Sequence, residues 1–253
     1  MRRSAPPALR GGRTHEPRYF KNCDLMVIAI ARALVKGESV FHGLASTIPH
    51  IAIQVADRGM QKELNYVNIT GGYLMHPETV VTSTDGDNLY NGTTCSFNLT
   101  DIFDFAARGR LDTAFLGGVQ IDQTGHLNNT CIGSYAKPKV KLPGGAGSAV
   151  LVPNAHRALV WRTKHDKRTF VEHVDFITSV GHVAKVFTPL CVMEMRDGKL
   201  ELAELYPGVS YEEVQENTGF PIGDRYRVMP EITEEEMACL HAVDPNRARD
   251  TEF

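Results

Sequence analysis

Short apolar runs that end at glycine alternate along this chain with stretches of helical periodicity. Three runs have the length of a buried strand and stop at glycine: residues 39–42 at Gly43, residues 64–70 at Gly71 and Gly72, and residues 113–116 at Gly117 and Gly118. Apolar residues recur at helical spacing over 24–35, behind Asp24 as the N-cap, and over 48–56. This alternation predicts an α/β fold whose sheet is open and mainly parallel, with helices on both faces.

Open parallel sheets bind their ligands beyond the carboxyl ends of the strands. The glycines that end the three runs are therefore expected to line one common cleft. Later in the chain we predict strands over 149–152 and 158–161, and a hairpin of 192–195 with 200–205 that turns at Asp197 and Gly198. Helix caps are expected at Asn98 or Thr100, at Ser210 with Glu213, and at Thr233 with Glu236.

The composition bounds the class of protein. The chain has 253 residues, 42% of them hydrophobic, and a formal net charge of −3, which is typical of a soluble globular protein. No apolar run approaches the ~20 residues of a membrane-spanning helix, and the mild acidity argues against a nucleic-acid surface. Five scattered cysteines without a Cys-x-x-Cys pair favour reduced thiols. We therefore expect a cytoplasmic protein with neither a membrane nor a nucleic-acid partner.

Residues 1–22 differ from the rest of the chain. They hold five arginines together with paired prolines and paired glycines, and they show no apolar periodicity. Such a composition predicts a disordered basic tail. No internal repeat or linker follows, so residues 23–253 are expected to form one domain.

Several common catalytic patterns are absent from the sequence. The histidines lack the i, i+4 pairing that would place two imidazoles on one metal, so we interpret them as core or surface residues and expect no metal. No Gly-x-Ser-x-Gly elbow supports a triad hydrolase. The glycines of 144–147 precede a predicted strand rather than open a helix, which argues against a phosphate loop.

Polar, uncharged side chains cluster just after the run 113–116. Gln120, Gln123, Asn128 and Asn129, together with Asp122, surround a turn at Gly125, and the four amides both donate and accept hydrogen bonds. Such a surface suits a thioester carbonyl or an amide. Taken by themselves, the two asparagines are better interpreted as plain turn residues, and only a family resemblance favours a functional role for them.

Three separated motifs carry a family resemblance. The motifs are FLGGVQIDQTGHLNNTCIGSY at 115–135, GGAG at 144–147 and YPGVSYEEVQENTGF at 206–220. Together they resemble the β subunit of family I coenzyme A transferases, in particular the glutaconate CoA-transferase type. The resemblance implies a homologous α subunit as partner, in an α2β2 heterotetramer, with the acyl-CoA bound between the subunits. It implies no cofactor, since the coenzyme A thioester is the substrate.

The resemblance also implies an oxyanion and acyl-CoA-binding set, in which backbone N–H groups and amides stabilise charge on the thioester oxygen. The matching positions here are Gly117, Gly118, Gln120, Asn128, Asn129, Gly144, Gly145 and Gly147.

One position departs from the family pattern. In these enzymes a glutamate at the end of the second strand attacks the thioester, which divides the acyl exchange into two covalent steps. Here that position is Ile69, between Asn68 and the pair Thr70–Gly71. The nearest downstream acids lie in a polar stretch of the sequence: Glu78, Asp85 and Asp87. The catalytic residue of this chain is therefore unassigned.

Three functions are compatible with these motifs and with isoleucine at position 69. The first is a CoA-transferase-like β subunit whose nucleophile is supplied otherwise, for instance by the partner. The second resembles the steroid ring-opening hydrolases of the superfamily, which cleave a carbon–carbon bond in a cyclic β-oxo acyl-CoA with an acid on the α subunit and water. The third is a non-catalytic ligand sensor, like the effector domains of some sugar-responsive repressors, although the chain has no helix-turn-helix region.

Overall fold

The computed structural model describes residues 20–73, 80, 89 and 92–253. Its α-helices are α1 Asn22–Ala33, α2 Thr47–Arg58, α3 Leu99–Ala107, α4 Ser148–Asn154, α5 Tyr211–Glu216 and α6 Glu234–Val243, followed by a 3-10 turn at Ala248–Glu252. Its strands are β1 Ser39–His42, β2 Asn65–Asn68, β3 Gly72–Tyr73, β4 Cys95–Ser96, β5 Thr113–Leu116, β6 Gln120–Ile121, β7 Leu127–Asn128, β8 Cys131–Ile132, β9 Val140–Lys141, β10 Arg157–Trp161, β11 Val183–Phe187, β12 Cys191–Arg196, β13 Lys199–Leu205 and β14 Arg227–Val228.

The main sheet has ten strands in the order β14-β13-β12-β11-β10-β5-β1-β2-β3-β4. Its centre is parallel, because β11, β10, β5, β1 and β2 all run the same way. The pairs β11–β12, β12–β13, β2–β3 and β3–β4 are antiparallel. The short pairs β6–β7 and β8–β9 form two small separate sheets. The predicted α/β fold with a mainly parallel open sheet is confirmed.

Helices cover both faces of this sheet. Successive residues of a strand point to opposite faces, and in β1 Val40 belongs to the core formed with α1, α2 and α6. Its neighbour Phe41 belongs instead to the core formed with α3 and α4. Both side chains are almost completely buried, and such burial contributes about 1.5–3 kcal/mol for each residue.

The first helix begins earlier than the sequence pattern predicts. Asp24 is not its N-cap, because α1 starts at Asn22 and the capping position is Lys21. Asp24 lies in the first turn, where its carboxylate accepts the Lys21 N–H at 3.4 Å. The same carboxylate forms a 2.6 Å ion pair with Arg249, 225 residues away in the sequence. The prediction was wrong because this partner cannot be read from local spacing.

The stretch 149–152 is helical, not a strand. It lies within α4, where Leu151 and Val152 are buried and Val150 is 40% exposed. A four-residue apolar run fits a short buried strand and a buried helix face equally well. The expectation that Gly144–Gly147 precedes a strand is therefore also wrong, since Gly147 is the N-cap of α4.

Other predictions from local sequence, of one hairpin and of three helix caps, were correct. The hairpin β12–β13 turns at Asp197 and Gly198, whose φ values of 50° and 76° match the two positive angles of a type I′ turn. Asn98 is the N-cap of α3. The hydroxyls of Ser210 and Thr233 cap α5 and α6 by accepting N–H bonds from Glu213 and Glu236.

Candidate functional site

Three strand ends meet at one edge of the sheet. His42 at the end of β1 pairs in register with Asn68 at the end of β2 and with Phe115 near the end of β5. Because all three strands are parallel, the segments that follow them leave the sheet side by side. These segments begin at Gly43, Ile69 and Gly117. The sheet topology thus brings Gly43 and Gly117 to one edge, as predicted, but β2 ends at Asn68 and not at residue 70, so that Ile69 follows the strand and Gly72 begins β3.

Two of these glycines have no close neighbour on the side of a Cβ, within the part of the chain that the structure describes. A Cβ added to Gly43 or Gly117 would meet no heavy atom within 4 Å in the described part of the chain. Neither residue has the positive φ that would demand glycine. A bulkier side chain at either position would therefore project into the space past the strand ends.

The Ile69 segment is shaped by Asn68. The Asn68 side chain is fully buried, and its Oδ1 accepts the backbone N–H groups of Thr70 at 2.9 Å and Gly72 at 3.2 Å, as well as the Thr70 hydroxyl. Gly71 between them has a φ of 100°. These bonds turn the chain sharply after β2 and hold Ile69 at the turn. Ile69 itself packs against the apolar core under α3 and carries no nucleophilic atom.

Asn129 ties together the loops on which the predicted binding set lies. Its Oδ1 accepts the Val119 N–H at 3.0 Å, and its Nδ2 donates to the Gly117 carbonyl at 3.0 Å. Its own carbonyl accepts the Gly144 N–H at 2.7 Å. The loop after β5 and the loop before α4 are therefore held against each other by one residue.

Gln120 and Asn128 are engaged inside the protein. Asn128 Nδ2 donates to Gln120 Oε1 at 2.6 Å and to the Cys131 carbonyl at 2.7 Å. Gln120 Nε2 donates to an oxygen of Asp175 at 3.2 Å. Both side chains are buried and connect β6 with β7. The oxyanion role predicted for them would require these bonds to be exchanged for bonds to a ligand.

Three of the predicted glycines are close-packed. A Cβ on Gly145 would lie 2.6 Å from Thr178 Cγ2, and one on Gly147 would lie 3.1 Å from the Phe103 ring. A Cβ on Gly118 would lie 3.2 Å from the side chains of both Ile121 and Leu127. The backbone N–H group of Gly144 donates to Asn129, whereas those of Gly117, Gly118, Gly145 and Gly147 have no backbone acceptor among the described residues. A ligand oxygen could accept hydrogen bonds from these N–H groups without displacing a bond between two backbone groups.

A buried hydrogen-bonded chain of three rings lies beside the end of β1. His42 Nδ1 donates to the Gly43 carbonyl at 2.9 Å, so its Nε2 is the acceptor of the Tyr66 hydroxyl. The Tyr66 oxygen in turn accepts from His50 Nδ1 at 2.9 Å. Burial lowers the pKa of His42 to about 4, and burial and the nearby His42 lower the pKa of His50 to about 3. Sequence spacing predicts only core or surface histidines here, because the three rings come together through the fold.

These histidines predict acid sensitivity of the fold. The unfolded state protonates them near pH 6.5, whereas the folded state keeps them neutral, so stability is lost as the pH falls from about 6.5 towards 4. Each contributes up to about 1.4 kcal/mol per pH unit. Urea unfolding between pH 7.5 and 4.5 should show this slope, and His50→Gln should reduce it. His173→Gln, at an exposed imidazole, should leave it unchanged; equal slopes in the two variants would contradict the assignment.

The described residues also bear on a metal site, on the downstream acids and on a membrane-spanning helix. In the described ranges, no three or more metal-ligating side chains come together as a metal site. The acids Glu78, Asp85 and Asp87 lie outside the described residues, as does most of the predicted basic tail. Within the described chain, no helix is both long enough and apolar enough to span a membrane.

Comparisons with known proteins identify the family. The model of the coenzyme A transferase family matches residues 24–217. The β subunit of the 3-oxoadipate CoA-transferase from Pseudomonas knackmussii is 31% identical over 250 residues, which covers 90% of this chain and 95% of that protein. The β subunit of the glutaconate CoA-transferase from Acidaminococcus fermentans is 25% identical, with coverages of 90% and 94%. This chain belongs to the coenzyme A transferase family, among its β subunits.

Two further relatives widen the range of reactions. The cholesterol ring-cleaving hydrolase IpdB subunit of Rhodococcus jostii is 29% identical over 170 residues, which covers 60% of this chain and 66% of that protein. The crystal structure of the decarboxylase AibA/AibB superposes with a TM-score of 0.85 at 28% identity, covering 92% of this chain and 98% of that one. The scaffold thus serves proteins named as transferases, as a hydrolase and as a decarboxylase. The family match confirms the resemblance on which the sequence interpretation rested.

Proposed function

We propose that this chain is the β subunit of a heteromeric enzyme that acts on an acyl-CoA thioester. The thioester binds at the interface between this chain and a homologous α subunit. The names of its relatives support the proposal, since they are subunits of CoA-transferases and of a hydrolase. The open space beyond Gly43 and Gly117 supports it too, because a cleft at strand ends is where such sheets bind ligands. An α2β2 assembly and a cytoplasmic location are parts of the same proposal.

The proposed mechanism rests on the presence of isoleucine at position 69, where the family has a glutamate. Its side chain has no atom that can attack a thioester, so this chain contributes binding and charge stabilisation instead of a covalent step. The backbone N–H groups of Gly118 and Gly145 are the proposed donors to the thioester oxygen. One such donor is typically worth about 3–4 kcal/mol in catalysis. The group that attacks the substrate, a carboxylate or a carboxylate-activated water, is then supplied by the α subunit.

A second candidate is hydrolytic cleavage of a carbon–carbon bond in a cyclic β-oxo acyl-CoA. Ile69 also favours this hydrolytic reaction, because water activated by an acid of the α subunit needs no nucleophile on this chain. The similarity to the ring-cleaving hydrolase subunit is consistent with this choice. The third possibility, a non-catalytic sensor, loses its basis because the family and the named relatives are enzymes.

The experiment is turnover of acyl-CoA by the chain alone and by the chain co-expressed with an α homologue. The complex should be active and the isolated chain inactive, because half of the site is missing from it. Robust turnover by the isolated chain would contradict the proposal.

The product distinguishes the two candidates. A transferase moves coenzyme A to an acceptor acid, so a new acyl-CoA appears only when that acid is present. Ring opening adds one water to the acyl-CoA and requires no acceptor. Mass spectrometry of the products, with and without an acceptor acid, therefore decides between them.

A further inference from the structure

An apolar cavity of about 240 Å³ lies between the β2–β4 edge of the sheet and helix α3. Its walls include Val67, Tyr73, Phe97, Ile102 and Phe105. Since one water occupies ~30 Å³ in the liquid, the cavity has room for a chain of several methylene groups. The mechanism proposed above does not use this space.

The cavity adjoins the position of the missing nucleophile. Val67 lies in β2, and Ile69 follows the last residue of that strand. Ile69 also packs against the apolar core that contains Val67 and Ile102, as do Tyr73 and Phe105. A thioester bound past the end of β2 would therefore have this cavity beside its acyl group.

The charge of the lining restricts what can enter. Among the described residues that line the cavity, Asp101 is the only charged one, and no lysine or arginine is present. The Asp101 carboxylate accepts the Asn98 N–H at 2.8 Å, at the start of α3. A carboxylate on the far end of an acyl group would find no cation here and would lose its hydration, which is strongly unfavourable.

We propose that this cavity is the acyl-chain subsite and that it takes an uncharged, apolar acyl group, not a dicarboxylic one. The inference rests on the proposed function, because it assumes that an acyl-CoA thioester binds at the strand ends. It adds the class of acyl group, which the family membership leaves open.

The cavity can be tested in the isolated chain, since its described lining comes from this chain. The probes are N-acetylcysteamine thioesters with acyl chains of two to eight carbons, and the glutaryl thioester as the charged comparison. Burial of each methylene predicts about a fourfold rise in affinity per carbon until the cavity is full. The glutaryl thioester should bind at least tenfold more weakly than the pentanoyl thioester. Titration calorimetry measures both.

Cys95 provides an independent readout. It lines the cavity and is exposed, whereas Cys23, Cys131 and Cys191 are buried. The hexanoyl thioester should slow alkylation of Cys95 by iodoacetamide at least fivefold, and the acetyl thioester should not. Peptide mass spectrometry assigns the reaction to Cys95 and separates it from the half-buried Cys239.

A pair of variants controls for binding elsewhere. Cys95→Trp should fill the cavity mouth and abolish the dependence on chain length, while Cys95→Ser should preserve it. Affinity that is independent of chain length, or glutaryl binding equal to pentanoyl binding, would overturn the inference. Because the probes lack coenzyme A and the α subunit is absent, such a result would leave the turnover test of the complex unaffected.

Discussion

Replacing Gly117 by valine is expected to lower acyl-CoA turnover by the complex about 100-fold while changing the melting temperature by less than about 2 °C. The new side chain would project into the open space beyond β5, next to the Gly118 N–H proposed to bind the thioester oxygen. Loss of one preorganised donor typically costs 10²–10³ in rate. The fold should tolerate the change, because the residue is exposed and its φ is not positive.

The neighbouring residue supplies the matched control. In Gly118→Val the added carbons would press on Ile121 and Leu127, both fully buried. Overpacking of this kind costs about 1–3 kcal/mol, so this variant should lose stability that the Gly117 variant keeps. Thermal unfolding of both, beside turnover, separates the two effects. Full activity of the Gly117 variant, or melting losses of equal size, would show that the loop after β5 is only a structural turn.

Replacing Arg249 by methionine is expected to lower the free energy of unfolding by about 3–5 kcal/mol. The Arg249 side chain is fully buried, with Nε 2.6 Å from an Asp24 oxygen and an Nη atom 2.8 Å from an Asp244 oxygen. Removing the cation leaves the buried Asp244 carboxylate without its cation and leaves Asp24 only the more distant Arg247 at 3.8 Å, and this accounts for the large cost. The change should also loosen α1, because Asp24 lies in its first turn.

An exposed ion pair is the control for this effect. Arg225 lies 3.3 Å from Glu201, and its side chain is 67% exposed. Arg225→Gln should change the free energy of unfolding by less than about 1 kcal/mol, as is usual for surface pairs. Urea unfolding of both variants measures the difference. A loss below about 1 kcal/mol in Arg249→Met would mean that the C-terminal turn does not hold α1 in place.

The sequence was most informative where structure is set locally. Apolar runs that stop at glycine predicted β1, β2 and β5 and the meeting of their ends, because a parallel sheet aligns those ends by itself. The Asp197–Gly198 hairpin and the helix caps were also readable, since turn and cap chemistry depends on neighbouring residues. The Ile69 substitution was visible only through the family resemblance.

Features that depend on distant contacts could not be predicted. The bond between Asp24 and Arg249, and the chain of His42, Tyr66 and His50, join residues from separate elements. Whether Asn128 faces a ligand or its neighbours depends on the position of Gln120, which the fold places opposite it. The helix at 149–152 could not be predicted, because four residues are too few to distinguish the periodicity of a helix from that of a strand.

The central claim is that this chain binds an acyl-CoA thioester without forming a covalent bond to it. The most direct measurement is the mass of this subunit after the active complex is incubated with acyl-CoA and treated with borohydride. Because Ile69 offers no nucleophile, the mass should be unchanged and no acidic residue of this chain should be reduced. A coenzyme A adduct or a reduced carboxylate on this subunit, for example at Glu78 or Asp87, would contradict the account.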